Sequence, residues 1–203
     1  ATGRIGRHVV AQALNAGHEV VALVRDPARL GPEPGRLRVV AGDARDFDRV
    51  LETVRDADAV VCALGPRRNT PADEEGHVAA VRNILEAMSR AGVRRLVTVL
   101  GAAVDLPGDR KGLRDKVAGW LVRKFARHIY RAKVRELELL RAYPEIEWVA
   151  VRPPLVVPGP PTGSYKVRLD RPPGQRVTAG DVADFMLKQL ETGEFVGKAP
   201  FIG

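Results

Sequence analysis

The sequence predicts an α/β fold with a doubly wound parallel sheet, and three observations predict it. Short apolar runs rich in β-branched residues, such as residues 19–24 and 58–64, read as strands covered on both faces. Segments with apolar residues at helical spacing lie between them, so strand and helix alternate as they do when parallel strands are joined by right-handed crossovers. A pair of glycines three residues apart, Gly3 and Gly6, stands directly before the first helical segment.

Each element has its own signal. Residues 7–16 carry Val9, Val10, Ala13 and Leu14 on one helical face, and Gly17 ends that helix as a C-terminal cap. Strands follow over 19–24 and 37–40, the second running into Gly42-Asp43. Residues 46–57 form an amphipathic helix through Phe47, Val50, Leu51 and Val54. After the strand over 58–64 comes a longer helix, 74–91, built on Val78, Val81, Ile84, Leu85 and Met88 and closed by Gly92. A strand over 93–100, a mainly helical stretch over 114–142 and a strand over 146–151 complete the alternation. Seven prolines between 153 and 173 exclude a helix, so the stretch reads as a long ordered loop, and 153–180 as a loop on the substrate side. Residues 178–184 open the last helix, with Thr178 or Asp181 as its cap. With no internal repeat and no low-complexity segment, residues 1–203 are expected to form one domain.

Gly3 and Gly6 have the spacing of the last two glycines of a G-x-x-G-x-x-G turn in a Rossmann unit, where the first glycine would fall one place before Ala1. The expectation is therefore a first strand upstream of Ala1 that the given sequence lacks. Such a turn brings backbone N–H groups and the positive end of a helix against a pyrophosphate.

Composition narrows the function. Cys62 is the single cysteine and lies in an apolar run, so it reads as a core residue of a protein in a reducing, cytoplasmic compartment, with no disulfide and no metal motif. The given residues carry no signal-peptide pattern and no apolar run near eighteen residues, so neither export nor insertion is expected of this stretch. The net charge of +8 invites anionic ligands, but arginine is spread along the chain and only 5% of residues are aromatic, so nucleic acid is not the expected partner. The basic stretch 110–135, with Val117, Trp120, Leu121, Phe125 and Ile129 on one face, is expected to be half buried rather than attached to a membrane surface. A monomer or small homo-oligomer acting on a small molecule is the expected state.

In an open α/β sheet, ligands bind beyond the carboxyl ends of the strands. Arg25 follows the strand over 19–24, where an acidic residue would hold the free ribose of NAD. A cation there suits the 2′-phosphate of NADP, with Arg29 as a second donor. Asp43 either accepts from the adenine amino group or closes the turn into the next helix. Leu64-Gly65 permits close backbone approach to a cofactor, because glycine has no side chain to collide.

These strings, together with Ala63-Leu64-Gly65-Pro66-Arg67, Val81-Arg82-Asn83-Ile84, Ala91-Gly92-Val93-Arg94-Arg95-Leu96-Val97 and Val151-Arg152-Pro153-Pro154, resemble the atypical short-chain dehydrogenase/reductase group with NAD(P)H-binding, NmrA-like domains. Within it they are most similar to NADPH-dependent flavin reductases of the biliverdin-reductase type. The resemblance covers nearly the whole chain. It implies pyrophosphate contacts at Thr2, Gly3 and Ile5 beside Gly6, 2′-phosphate contacts at Arg25 and Arg29, and adenine contacts at Asp43 and Ala44. It further implies contacts at Leu64, Gly65 and Arg67, and nicotinamide contacts at Pro153, Pro154 and Leu155.

The departures concern catalysis. Short-chain reductases protonate a reduced carbonyl with a tyrosine activated by a lysine four residues on, beside a serine. Here Tyr130 and Lys133 are three apart, and Leu100-Gly101-Ala102 holds no serine. The catalytic residues stay unknown, with Lys133 and Tyr130 as weak candidates: Lys133 stands where the family contacts ribose but reads as a surface lysine, and Tyr130 reads as helix packing. His128 reads as an exposed helix residue, and Leu155 replaces a histidine of the family. A flavin needs no protein acid, since stacking on the nicotinamide carries the rate and water supplies the proton. Trp120, Phe125, Tyr130 and Tyr165 are candidate walls for such an acceptor, with ordinary packing as the plainer reading. The function expected is hydride transfer from NADPH to a flavin, quinone or similar planar acceptor. The alternative is a non-catalytic NADP(H)-binding redox sensor or scaffold, and a sugar-nucleotide epimerase-like enzyme ranks below both.

Overall fold

The computed structural model describes residues 1–30 and 35–203. Strands β1 (Val20–Val24) and β2 (Leu37–Ala41) pair in parallel, with Val20 opposite Leu37. Strands β3 (Ala59–Cys62), β4 (Arg95–Val99) and β5 (Glu147–Val151) form a second parallel group with β4 in its centre. Helices α1 (Gly6–Asn15), α2 (Phe47–Val54), α3 (Pro71–Ala91), α4 (Leu113–Phe125), α5 (Arg127–Ala142) and α6 (Ala179–Glu191) separate or follow these strands. The parallel α/β architecture is the one the sequence predicts.

Strand alternation sorts the side chains to two covered faces. Leu96 and Trp148 meet Leu85 and Met88 of α3 and Leu137 and Leu140 of α5. Their neighbours Val97, Val149 and Val151 point the other way, into Val182, Phe185 and Met186 of α6. Each such fully buried side chain contributes about 1.5–3 kcal/mol of hydrophobic stabilisation. Helix α1 packs on α6 and sends Val10 against Ala22, Val24 and Leu37, while α2 packs on α3 through Val50, Val54 and Ala87. The sheet is thus wound on both sides, with α1 and α6 on one and α2, α3 and α5 on the other.

Four details differ from the periodicity. Helix α3 starts three residues before position 74, because Thr70 Oγ1 accepts from Asp73 N and Pro71 occupies the first turn, where a missing N–H costs nothing. The stretch 114–142 is two helices, broken at Ala126 with φ −127° and ψ 41°. Ala is the strongest helix former, so nothing in the sequence marks that break. The proline-rich stretch is not all loop: β6 (Leu155–Val157), free of proline, pairs in parallel with β8 (Arg176–Thr178), and β7 (Val167–Arg168) pairs antiparallel with β9 (Phe201–Ile202). Finally, the apolar face of α4 is not half buried. Only Gly119 of that helix is buried, and Leu113, Val117, Trp120, Leu121 and Phe125 are exposed.

Of the two candidate caps of the last helix, Thr178 is the one that caps it. Thr178 Oγ1 accepts from Asp181 N at 2.9 Å, and the Asp181 carboxylate in turn receives Thr162 N at 2.6 Å and Gly163 N at 3.0 Å, tying the proline-rich segment to α6. No helix among the described residues is long and apolar enough to cross a membrane.

Candidate functional site

A cleft of about 500 Å³ opens at the carboxyl ends of β1, β2 and β3, within the range of small-molecule and cofactor sites. Its wall brings together Thr2, Gly3, Arg25, Arg29, Asp43, Ala44, Leu64, Gly65 and Arg67, residues from four separate stretches of chain. Ile5 packs inward against the core under α6, and Gly6 begins α1. A Cβ at Gly6 would lie 2.8 Å from the Ala1 carbonyl oxygen, so the turn closes this tightly only with glycine there. At Gly3 the space is open.

The start of α1 suits an anion. Ile5 at its N-cap offers no side-chain acceptor. The backbone N–H groups of Gly3, Arg4, Ile5 and Gly6 donate to no backbone or side-chain acceptor among the described residues, and Arg7 N is the first to close a turn, onto Gly3 O at 3.1 Å. Open amides at a helix N-terminus, beside a cleft lined by five arginines and two aspartates, favour a phosphate-bearing ligand. The residues present therefore fit the phosphates of a dinucleotide.

The two aspartates of the cleft are already paired. Asp43 takes Arg45 N and Nε on Oδ1, both at 3.0 Å, and Arg45 Nη2 on Oδ2 at 2.9 Å. Those hydrogen bonds hold its carboxyl below the usual range. Asp43 closes the turn and Asp46 caps α2, accepting from Asp48 N and Arg49 N. Asp73 sits 3.5 Å from Arg68 Nε. Arg25, Arg29 and Arg67 leave the cleft net positive.

Behind the cleft lies a buried polar network that the sequence reading missed. Lys133 is not on the surface: it is 7% exposed. Its Nζ donates to Leu64 O at 2.8 Å, Val99 O at 2.6 Å and Glu136 Oε2 at 2.8 Å. An ammonium has three N–H groups and all three are occupied, so Lys133 bolts the ends of β3 and β4 together. Glu136 also accepts from Thr98 Oγ1 at 2.6 Å and stands 2.7 Å from His77 Nε2. Burial alone would raise the Glu136 carboxyl, but the Lys133 cation and the His77 hydrogen bond outweigh it and hold the group down at about 2. Burial pushes the His77 imidazole down, and its Nδ1 has no partner. With Nε2 2.7 Å from a carboxylate that can only accept, the ring carries a proton on Nε2. The helical register of His77 with Val78 and Val81 was the one sequence sign of its burial.

Other expectations fall elsewhere. His128 is buried, not exposed, with Nδ1 2.7 Å from Glu74 Oε2. Tyr130 does not line the cleft, and Arg123 lies 5.9 Å over its ring. Trp120 and Phe125 stand exposed on the outer face of α4, and Tyr165 packs edge-on against Phe185. Pro153, Pro154 and Leu155 are not part of the cleft wall; Pro153 O accepts from Ala102 N at 2.9 Å and Leu155 is 60% exposed. What fixes them is Arg152, which is fully buried. It makes a bidentate pair with Asp109 at 2.7 and 3.0 Å, donates to Ala199 O at 2.8 Å and lies 3.6 Å over the Phe201 ring.

The fold and this cleft together define a nucleotide-binding protein of the Rossmann class. The chain belongs to the NAD(P)H-binding family, which it matches over residues 1–193. Solved structures of the same fold include a short-chain dehydrogenase/reductase from Veillonella parvula in complex with NADP, with a TM-score of 0.80 at 18% identity over 100% of this chain and 91% of that one. A Rossmann-fold NAD(P)-binding protein from Shigella flexneri has a TM-score of 0.73 at 19% identity over 100% and 89%. Among curated relatives, a 3-diazoavenalumate denitrifying reductase from a Streptomyces species is 39% identical over 107 residues, 48% of this chain and 34% of its own length. The maize isoflavone reductase homolog IRL is 31% identical over 118 residues, 53% of this chain and 35% of its own. The uncharacterized Bacillus subtilis protein YwnB is 31% identical over 102 residues, 50% of this chain and 45% of its own. The matched stretch thus spans less than half the length of each of these relatives.

Proposed function

We propose that this protein is an NADPH-preferring oxidoreductase that passes hydride to a planar acceptor such as a flavin or quinone. The observation that carries the reading is the cleft itself, where the open amides at the start of α1 adjoin Arg25 and Arg29, in the place where NAD-selective sites carry an acid. The Gly3–Gly6 amides receive the pyrophosphate, Arg25 and Arg29 the 2′-phosphate, and Gly65 leaves room for the chain of the cofactor to pass the end of β3. When bound, the nicotinamide supplies the hydride. A planar acceptor that stacks on it draws its proton from water, so no protein acid is required, in keeping with a Lys133 whose N–H groups are all occupied. The reductase relatives support this class of chemistry, and the single buried Cys62 suits a reducing, cytoplasmic setting.

The test is titration with NADPH and NADH, followed by cofactor oxidation with FMN, riboflavin and a soluble quinone. Tighter binding of NADPH and turnover with at least one acceptor are expected. If neither cofactor binds, the whole reading is overturned. A second reading, a redox sensor that binds NADP(H) without turnover, is favoured by the immobilised Lys133 and by a Tyr130 outside the cleft. Tight NADPH binding with no oxidation above background by any of the acceptors would select it.

A further inference from the structure

We infer that α4 is a docking surface for an anionic lipid bilayer. The helix turns its large apolar side chains outward: Leu113 is 79% exposed, Phe125 68%, Trp120 51%, Val117 49% and Leu121 42%. At 100° per residue these five fall within an arc of about 140°, one continuous stripe rather than scattered exposure. Its inner side is nearly empty of core residues, with Gly119 alone buried.

Charge identifies what covers the stripe. Residues 110–131 contain eight lysines and arginines and one acid, Asp115, whose Oδ2 is turned back to Gly112 N. Arg114, Lys116 and Lys124 are exposed and enter no ion pair among the described residues. Lys124 Nζ lies 4.8 Å over the Trp120 ring and 5.4 Å over that of Phe125, so cation and aromatics share the same face. A surface with anionic headgroups above an acyl layer complements both halves of this pattern, and Trp is a residue of that boundary.

A second copy of the chain fits less well. A two-fold interface would set these cations against themselves. The stripe is also about 20 Å long and about 10 Å wide, on the order of 200 Å², where a stable pair needs roughly 800 Å² from each partner.

The helix is held so that the whole stripe is presented at once. Arg123 Nη1 binds Asp105 Oδ2 at 2.7 Å on its inner flank, and Asn69 Nδ2 donates to Phe125 O at 2.8 Å at its end. Asn69 stands two residues from Arg67, so the contact would lie beside the mouth of the cleft. The inference does not rest on the oxidoreductase reading, since it uses none of the cleft residues.

Co-sedimentation of the full chain with phosphatidylcholine vesicles containing about 30% phosphatidylglycerol tests it. Binding is expected to these vesicles and not to pure phosphatidylcholine, and to weaken at least tenfold in roughly 0.5 M salt. Trp120 emission should shift to the blue on binding, the other tryptophan, Trp148, being buried. The pairs Trp120→Ser with Phe125→Ser, and Lys116→Glu with Lys124→Glu, should each weaken binding about tenfold or more while circular dichroism and the melting temperature stay those of the parent. No pelleting with the anionic vesicles at low salt overturns the inference, as does equal pelleting of parent and variants. So does a dimer in sedimentation velocity that both variant pairs abolish, which would make a second copy the occupant.

Discussion

In the proposed reading, Arg25 is the residue on which cofactor choice turns. A guanidinium pairs with a 2′-phosphate through charge-assisted hydrogen bonds, and a carboxylate at the same place repels it while accepting from a free ribose hydroxyl. Arg25→Asp is expected to weaken NADPH binding by about tenfold or more and to leave or improve NADH binding. An unchanged ratio of dissociation constants would show that Arg25 does not read the 2′ position. Lys133 makes the opposite prediction. As a buried partner of Glu136 it holds two strand ends, so Lys133→Met leaves an uncompensated carboxylate and should cost about 3–5 kcal/mol in urea unfolding. Adding Glu136→Gln to that variant should recover part of the loss, because the two residues act as a pair. Arg25 was visible in the sequence because a strand end is a fixed address in this fold. The Lys133–Glu136–His77 network was not, because its members lie on two helices separated by more than fifty residues.

At the level of elements, the approach of the proline-rich segment to α6 is the closest found at any glycine among the described residues. A Cβ on Gly180 would come within 2.2 Å of Pro161 N and 2.3 Å of Pro160 C. Backbone atoms cannot yield as a flexible side chain can, so Gly180→Ala should lower stability by about 1–3 kcal/mol, or separate the segment from α6, even though alanine is the better helix former. Thermal unfolding checks the first outcome and limited proteolysis within 153–173 the second. Helix starts were legible at Asp46 and Thr178, whose side chains cap α2 and α6, but not at Thr70, whose cap sets the start of α3 at Pro71. The break at Ala126 and the short strands β6 and β9 were not, since they arise from pairing with residues distant in sequence.

Across the whole molecule, the buried Glu136 carboxylate sets a pH window. Its pKa falls from an ordinary 4.5 to about 2 on folding, so its contribution is complete above pH 4.5 and is lost as pH drops toward about 2. Asp43 and Asp181, also held below their usual range, act in the same direction. Melting temperature is therefore expected to fall through that interval, and Glu136→Gln to flatten the fall while lowering the plateau at neutral pH. A variant as acid-sensitive as the parent would show that Glu136 is not ionised in the native protein. In the other direction, NADPH at about 100 times its dissociation constant should add about 2.7 kcal/mol to stability, read as a rise in melting temperature that NADH reproduces only at higher concentration.

The strand and helix alternation, the two covered faces of the sheet and the places of Gly3, Arg25, Asp43 and Gly65 at strand ends can be read from the chain alone, because hydrophobic period and glycine spacing are local quantities. Which charges are buried, which apolar residues are not, and that those strand ends meet around one cleft follow from packing across the fold. Lys133, His128 and Arg152 are enclosed, and the face of α4 is left bare, because burial depends on what packs against a residue, and periodicity shows that a face exists without showing what covers it.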